Sequence, residues 1–301
     1  MTFHLDSLLT ERCNPNTSDI DQLSSLEILQ RIHEEDLQVA SAITPLLPKI
    51  AVAVDWISAA FRQGGRLFYL GAGTSGRLGI LDAVECPPTY GTPPEMVQGI
   101  IAGGESAVFR SVENAEDSPH LAESDLAKRG LTSADIVVGI AASGRTPYVI
   151  GGLTYARSLG CRTIALACTP EPLIGEHADL SLAVLSGPEV VTGSTRMKAG
   201  TVQKMVLNMF TTAAMIRLGK VYGNLMVDVA ASNEKLQHRV RRIVSLATGE
   251  NVERVEAAVS TANGSAKLAI VMLLGNLSAE AAQARLSAAD GFVAKALQTG
   301  G

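Results

Sequence analysis

The chain has 301 residues, nearly half of them apolar, and a formal net charge of −5. That length accommodates one large domain, or a main domain with a smaller one. The acidic balance, relieved only by His238-Arg239-Val240-Arg241-Arg242, excludes the basic footprint of a nucleic-acid binder. Aromatic residues are scarce, at 4%, while Ala and Gly abound, which suits packed α/β layers better than a β-sandwich.

Along the chain, Met1-Thr2-Phe3-His4-Leu5-Asp6 lacks the charged-then-apolar pattern of a secretory signal. Ser24-x-x-Glu27 is a capping-box pattern that opens a helix to about Ala42. A second helix starts near Pro48 and stops at Gly64-Gly65. Strands are predicted over 66–70, 96–102, 135–141, 162–167 and 180–185, with helices near 75–84, 106–116, 121–129 and 147–159. This rhythm implies a parallel sheet covered on both faces. A long apolar helix follows over 195–218, and Asn233 and Glu234 open another. Residues 249–262, 265–274 and 278–286 read as a compact three-helix unit. The expected organisation is an N-terminal helical segment over 1–50, the α/β domain with its following helices over 51–245, and a three-helix bundle over 246–301.

The purely apolar runs, such as 268–274, are too short to span a bilayer, so no membrane partner is expected. Cys13, Cys86, Cys161 and Cys168 form no C-x-x-C pair and have no His at metal spacing. Reduced thiols in a cytoplasm are the expectation, with no metal site.

Gly71, Gly73 and Gly76 form a G-x-G-x-x-G directly after the apolar run 67–70, the fingerprint of a dinucleotide turn. Such a site also needs an acidic residue at the end of the second strand. Here Glu95 precedes that strand, four prolines interrupt the approach to it, and its end is Ala102-Gly103-Gly104. The alternative is a cradle for a substrate's own phosphate, because Thr74 and Ser75 stand in the loop. A second loop, Ala141-Ala142-Ser143-Gly144-Arg145-Thr146-Pro147, repeats the arrangement at another strand end. Free N–H groups and the dipole at a helix start favour an anion there. Ordinary capping by Ser and Thr competes with that reading at either loop alone, and the pair of loops favours the phosphate.

The stretches "GAGTSGRLGILDAVECPPTYG", "IAGGESAVFRSVENAED", "VVGIAASGRTPYVIGGL", "EVVTGSTRMKAGTVQK" and "GNLMVDVAASNEKL" strongly resemble the N-acetylmuramic acid 6-phosphate etherases, of the sugar isomerase (SIS) fold. The resemblance runs from about Leu26 to the C-terminal helices and is weakest at the extreme N-terminus and over 168–183. It implies an SIS-type parallel sheet flanked by helices on both faces, with a small C-terminal helical bundle. It also implies a phosphorylated amino-sugar substrate, a homodimer, and cleavage of a lactyl ether at C3 to give N-acetylglucosamine 6-phosphate and D-lactate. An ether alkoxide leaves badly, but the open-chain aldehyde acidifies the C2 hydrogen, so elimination followed by hydration is open. That route needs a base at C2 and an acid at the leaving oxygen, and no cofactor.

The resemblance assigns Glu85 as the acid on the lactyl oxygen and then the base on water, and Glu116 as the base at C2. Pro87 is expected to end the helix at Glu85, where a partly desolvated pocket would let the side chain keep its proton near neutrality. Glu113 and Glu116 are three apart and share a face if helical, and the residues alone do not choose between them. Ser143, Gly144, Arg145 and Thr146 match the SIS phosphate-binding segment. Thr74 and Ser75 are expected to reach sugar hydroxyls or share the phosphate. Glu189, Ser194, Thr195 and Lys198 form a polar group that lines the pocket or caps the long helix, and Asn233-Glu234-Lys235 is a candidate contribution to a neighbouring subunit. His120 reads as surface, Cys86, Trp56 and the methionines at 205, 209 and 215 as packing. A phosphosugar aldose–ketose isomerase is the first rival, a non-enzymatic sugar-phosphate sensor the second and a dehydrogenase the third.

Overall fold

Five short apolar runs, each too short for a helix and each followed by a turn, form the sheet of this computed structural model, which describes residues 9–229 and 234–298. In chain order the elements are α1 (Ser25–Asp36), α2 (Val39–Ile43), α3 (Leu47–Arg62), β1 (Leu67–Gly71), α4 (Gly73–Tyr90) and β2 (Val97–Ile101). Then come α5 (Ser106–Phe109), α6 (Pro119–Lys128), β3 (Ile136–Ile140), α7 (Pro147–Ser158), β4 (Arg162–Ala167), α8 (Leu173–Glu176) and β5 (Leu180–Ala183). The chain continues through α9 (Lys198–Arg217), β6 (Val221–Tyr222), β7 (Leu225–Met226), α10 (Glu234–Thr248), α11 (Val252–Thr261), α12 (Ala266–Gly275), α13 (Ala279–Ala288) and α14 (Val293–Gln298).

The sheet is parallel throughout, in the order β2-β1-β3-β4-β5, and every expected strand is present within two residues of its expected ends. Alternation along β1 divides its two faces. Phe68 and Leu70 enter a core with Val137, Ala165, Leu126 and Leu153 under α6 and α7. Tyr69 points the other way, where Gly79 of α4 lies so close that an added methyl would fall 2.7 Å from the Tyr69 Cβ. The Tyr69 hydroxyl donates to Asp82 Oδ2 at 2.8 Å, and Asn208 and Thr211 of α9 donate to Oδ1 at 2.6 and 3.1 Å. Burial pushes the Asp82 carboxyl up despite these bonds. One buried acid thus ties β1, α4 and α9.

The chain separates into two units, one running to Val84 and including Glu95–Thr211, the other made of Glu85–Pro94 and everything from Thr212 on. The division therefore falls well before the boundary expected at 245, because the second core takes Val227, Val229 and Val240 from the segment preceding the three helices. Residues 85–94 join it where the Gly91 backbone meets the Asp228 carbonyl. The expected three-helix bundle is correspondingly larger: α10 to α14 all contribute to this core.

Two local expectations need correction. The first helix ends at Asp36, not near Ala42, and α2 follows as a separate turn, although the capping box at Ser24 and Glu27 forms as predicted. Residues 25–62, apolar and long enough together to cross a bilayer, are four helical pieces: α1, α2, a 3-10 turn over Thr44–Leu46, and α3. Finally, α4 does not stop at Cys86: Pro87 and Pro88 lie inside it. A proline's fixed φ is helical and each one removes only a single bond, while Cys86 is buried and Gly91 N–H closes a further turn onto the Pro87 carbonyl at 2.9 Å.

At the N-terminal edge of the sheet, buried Asp135 accepts from Arg66 N and Nη2 and from Thr132 N, each at 2.8 Å. Burial alone would raise this carboxyl; the Arg66 and Thr132 bonds overcome it and hold it below its usual value. A depressed native value gives stability that is present above about pH 4 and is lost as pH falls through the depressed value. Asp135→Asn is therefore expected to lower unfolding stability by about 2–4 kcal/mol at pH 7. In urea titrations its deficit relative to wild type should shrink as the pH is taken towards about 3.

Candidate active site

The strand order places a topological switch between β1 and β3, since the crossover from β1 runs outward to β2 while β3 and β4 extend the other way. Crevices outside the carboxyl ends of strands at such a point are where open α/β sheets bind ligands. Gly71 pairs with Ile140 at that end, so the two loops leave the sheet side by side. The loop after β1 is the shorter. Gly73 has φ +52 and starts α4, and an added methyl on Gly76 would fall 2.6 Å from Ile101 Cγ1. The glycine pattern therefore serves backbone turning and close helix–strand packing.

A cavity of about 360 Å³ opens at this switch point. Its lining brings together Ala72, Gly73, Thr74 and Ser75 from the first loop, Ser143, Arg145 and Thr146 from the second, and Thr195 from the turn before α9. Glu116 and Asp117, in a short 3-10 turn over Ala115–Asp117, complete the lining with Glu11. Thr146 occupies the N-cap position of α7, yet its side chain makes no capping bond. Ser143 Oγ accepts only a long contact, 3.4 Å, from Arg145 N–H. Two hydroxyls and the first N–H groups of α7 are thus available to an anion. Gly144 is buried behind them with φ +70, and its carbonyl accepts from Ile174 N–H at 2.9 Å. Ser75 is partly committed, since its hydroxyl donates to Gln203 Oε1 at 2.9 Å, beside a buried Gln203 Nε2 that has no partner among the described residues.

Other expected site residues lie elsewhere. Glu189 is fully buried and accepts from the N–H groups of Lys198 and Ala199, both at 2.9 Å, so it caps α9. Burial raises its carboxyl above the usual range against those two bonds. Lys198 is also buried, and its ammonium pairs with buried Glu35 of α1. Asn16 donates to the other Glu35 oxygen at 2.8 Å. Neither Lys198 nor Glu189 lines the cavity, and Ser194 is absent from the lining while Thr195 is in it. Asp117, one of the acidic candidates of the stretch that holds Glu113 and Glu116, is in the lining, whereas Glu11 had no signal, lying in the segment least matched by resemblance.

The two glutamates have different settings. Glu116 is at the cavity. The stretch 106–116 is helical only to Phe109, after which Arg110 is extended and Asn114 takes φ +61, so Glu113 and Glu116 share no helical face. Glu85 lies on α4 more than three turns beyond Gly73. Its side chain is exposed in the single chain, so the desolvation expected of it is absent there. Of Asn233-Glu234-Lys235, Asn233 falls outside the described residues, and Glu234 and Lys235 are exposed at the start of α10. A larger depression in the second unit, about 540 Å³, is lined by Arg241, Glu256 and Asn263, with Ser260 the one hydroxyl among the described residues that line it.

Taken together, switch-point loops, hydroxyls at a helix start and a carboxylate beside them define a sugar-phosphate protein of the SIS class. Residues 113–213 match the SIS domain, and residues 49–157 match the glucokinase regulatory protein N-terminal SIS domain. A solved protein of Escherichia coli CFT073 shares this fold, with a TM-score of 0.52 at 17% identity over 67% of this chain and 97% of its own. Identity is far higher to the N-acetylmuramic acid 6-phosphate etherase 2 of Vibrio parahaemolyticus, 56% over 99% of each chain. The N-acetylmuramic acid 6-phosphate etherase of Photorhabdus laumondii is 54% identical over 97% of each. The chain belongs to the N-acetylmuramic acid 6-phosphate etherase family.

Buried pairing implies that Lys198 supports the fold and does not touch substrate. Lys198→Met, which strands Glu35, is expected to cost about 3–5 kcal/mol. Combining it with Glu35→Gln should recover most of that in a denaturant titration, with KM staying within about threefold of wild type. A rise in KM of about tenfold for the stable double variant would return Lys198 to the site.

Proposed function

We propose that this enzyme cleaves the D-lactyl ether of N-acetylmuramic acid 6-phosphate by elimination and hydration, with the phosphate in the loop cradle and Glu116 as the base at C2. The observation that carries the assignment is the placing of Glu116 in one cavity with Ser143, Thr146 and Thr74. Family membership supplies the activity, namely release of N-acetylglucosamine 6-phosphate and D-lactate in cell-wall sugar recycling. We place the enzyme in the cytoplasm as part of the same reading.

The chemistry follows from the open-chain sugar. Its C1 aldehyde lets Glu116 remove the C2 proton, and the electron pair then expels the oxygen on C3 as that oxygen receives a proton. Lactate departs, leaving a C2–C3 double bond conjugated to the aldehyde. Water adds at C3, giving its proton to a base, and C2 is reprotonated. The cradle holds the substrate by its phosphate, so C2 and C3 are presented repeatedly to the same carboxylate. An aldose–ketose isomerase would share the C2 step but would release no lactate.

We assign the proton for the lactyl oxygen to Glu85. Its exposure on α4 supports a site completed by a second copy of the chain. Leu81 and Val84 on the same helix are 46% and 58% exposed, and Leu26, Leu29 and Leu37 near α1 are each more than 60% exposed. Leu81 and Val84 lie within one turn of Glu85, and we propose a homodimer that covers them and sets Glu85 against the partner's Glu116.

Turnover in water enriched in oxygen-18 tests the bond that breaks. Unlabelled lactate and labelled sugar are expected, and labelled lactate would put the attack on the lactyl carbon and overturn elimination. Glu116→Gln and Glu85→Gln should each lose at least about 1,000-fold in kcat with the melting temperature unchanged. Mixing the two inactive variants under exchange should restore about a quarter of wild-type activity if each site draws one glutamate from each copy, because half the dimers carry one intact site. Two variants that stay inert together would place both glutamates in one chain's site.

A further inference from the structure

Glu116 lines a second cavity as well. This one, of about 440 Å³, shares Ala72, Gly73, Glu116 and Asp117 with the cradle and extends away from it to Arg77 and Arg110. The two cavities therefore join at the residue assigned to C2. The substrate has a matching form. It carries two anions, a phosphate on C6 and a carboxylate on the lactyl group at C3, and the reacting carbons lie between them. One limb of the site supplies hydroxyls and helix N–H groups, the other supplies guanidiniums.

The two arginines are committed differently. Arg77 of α4 donates its Nε to the Val108 carbonyl and its Nη2 to the Ala107 carbonyl, both at 2.8 Å. Those acceptors are neutral, so Arg77 braces the turn around α5 and keeps its positive charge. Arg110 follows α5 with extended backbone, φ −136 and ψ 152, and its exposed side chain has no hydrogen-bond or ion-pair partner among the described residues. Glu113 and Asp117 share the cavity wall, yet neither closes onto Arg110. Arg77 and Arg110 stand against Glu113 and Asp117 in that wall, two guanidiniums to two carboxylates beside Glu116. An uncommitted guanidinium matches a carboxylate through two parallel N–H bonds.

We propose that the second cavity is the lactyl limb of the active site and that Arg110 is its specificity residue, binding the lactyl carboxylate while Arg77 holds the wall and adds charge. The inference rests on the etherase reading above and deepens it. An isomerase substrate has no such carboxylate, so this limb is what distinguishes a lactyl-ether site from a phosphosugar site built on the same cradle. Departing lactate leaves with its carboxylate still on Arg110, which keeps the leaving oxygen close to its acid during elimination.

The test pairs a change in the protein with a change in the substrate. Wild type and Arg110→Gln are assayed on N-acetylmuramic acid 6-phosphate and on its lactyl carboxamide, which removes the charge and keeps the ether. Wild type is expected to lose about 10- to 100-fold in kcat/KM on the amide. Arg110→Gln should treat the two substrates within about threefold of one another, and Arg110→Lys should keep part of the discrimination, having the charge without the fork. Equal discrimination by wild type and Arg110→Gln would overturn the assignment. So would a variant uniformly slower on both substrates with discrimination intact, the mark of a residue that only props the loop. Wild type inert towards the natural ether overturns the etherase reading and the inference with it, and is told apart because the failure precedes any substitution.

Discussion

The site depends first on the pairing of β1 with β3. Because the chain leaves β1 for β2 on one side and adds β4 and β5 on the other, the loops that follow these two strands have no crossover between them and open into one crevice. Register carries the consequence to atomic scale: Gly71 pairs with Ile140, so Ala72–Ser75 and Ala141–Thr146 leave the sheet at one level. Two helix N-termini then converge on a single volume. A slip of one residue in either strand would exchange the faces on which Tyr69 and Leu70 lie, and with them the core. Packing of the sheet and placing of the cradle are thus the same requirement.

Around that pairing, buried polar groups position the elements that apolar packing leaves free. Asp82 takes hydrogen bonds from β1 and α9 while lying on α4. Glu189 caps α9, and the Lys198–Glu35 pair joins α9 to α1. Asn14 and Thr17 donate to the carbonyls of Pro188 and Val190, at 3.3 and 2.8 Å, so the N-terminal segment is laid along the turn that leads into α9. This explains how Glu11 reaches the cavity: the same strap that delivers Glu35 to Lys198 runs past Gly193, whose Cα faces the Glu11 carboxylate. Such pairs give orientation more than net stability.

Much of this arrangement was legible in the sequence. The strands were, because the central ones, β1, β3 and most of β4, are runs of apolar residues buried on both faces, a pattern that parallel sheets require. The cradle was, because hydroxyls followed by Pro147 mark a helix start after a strand. What was hidden is tertiary. Lys198 and Glu189 look like pocket residues because both are polar and near a loop, and nothing local reveals that Glu35, 163 residues away, neutralises one of them. The break after Phe109 comes with an extended Arg110, and the turn that carries Glu116 starts at Asn114 in a left-handed backbone, which Asn tolerates without being confined to it. At Cys86 the local rule against a helix before proline gave way to burial of the thiol. Glu85 and Glu116 were named from family motifs, and their different settings, one exposed on a helix and one at the cavity, have no counterpart in residue spacing.

The way the anion is held bears on the chemistry. A phosphosugar site could hold its phosphate with a cluster of lysines, but a carboxylate base beside such a cluster would be drawn into ion pairs and lose basicity. Here the cradle offers neutral donors, the hydroxyls of Ser143 and Thr146 and the N–H groups of α7, with Arg145 exposed at its edge. Lys198, the first residue of α9, is turned inward and neutralised by Glu35. In the proposed reading Glu116 shares the phosphate's cavity, and no lysine is among the described residues that line it. A phosphate held through hydroxyls and helix N–H groups leaves the guanidiniums of the adjoining cavity to the second anion of the proposed substrate.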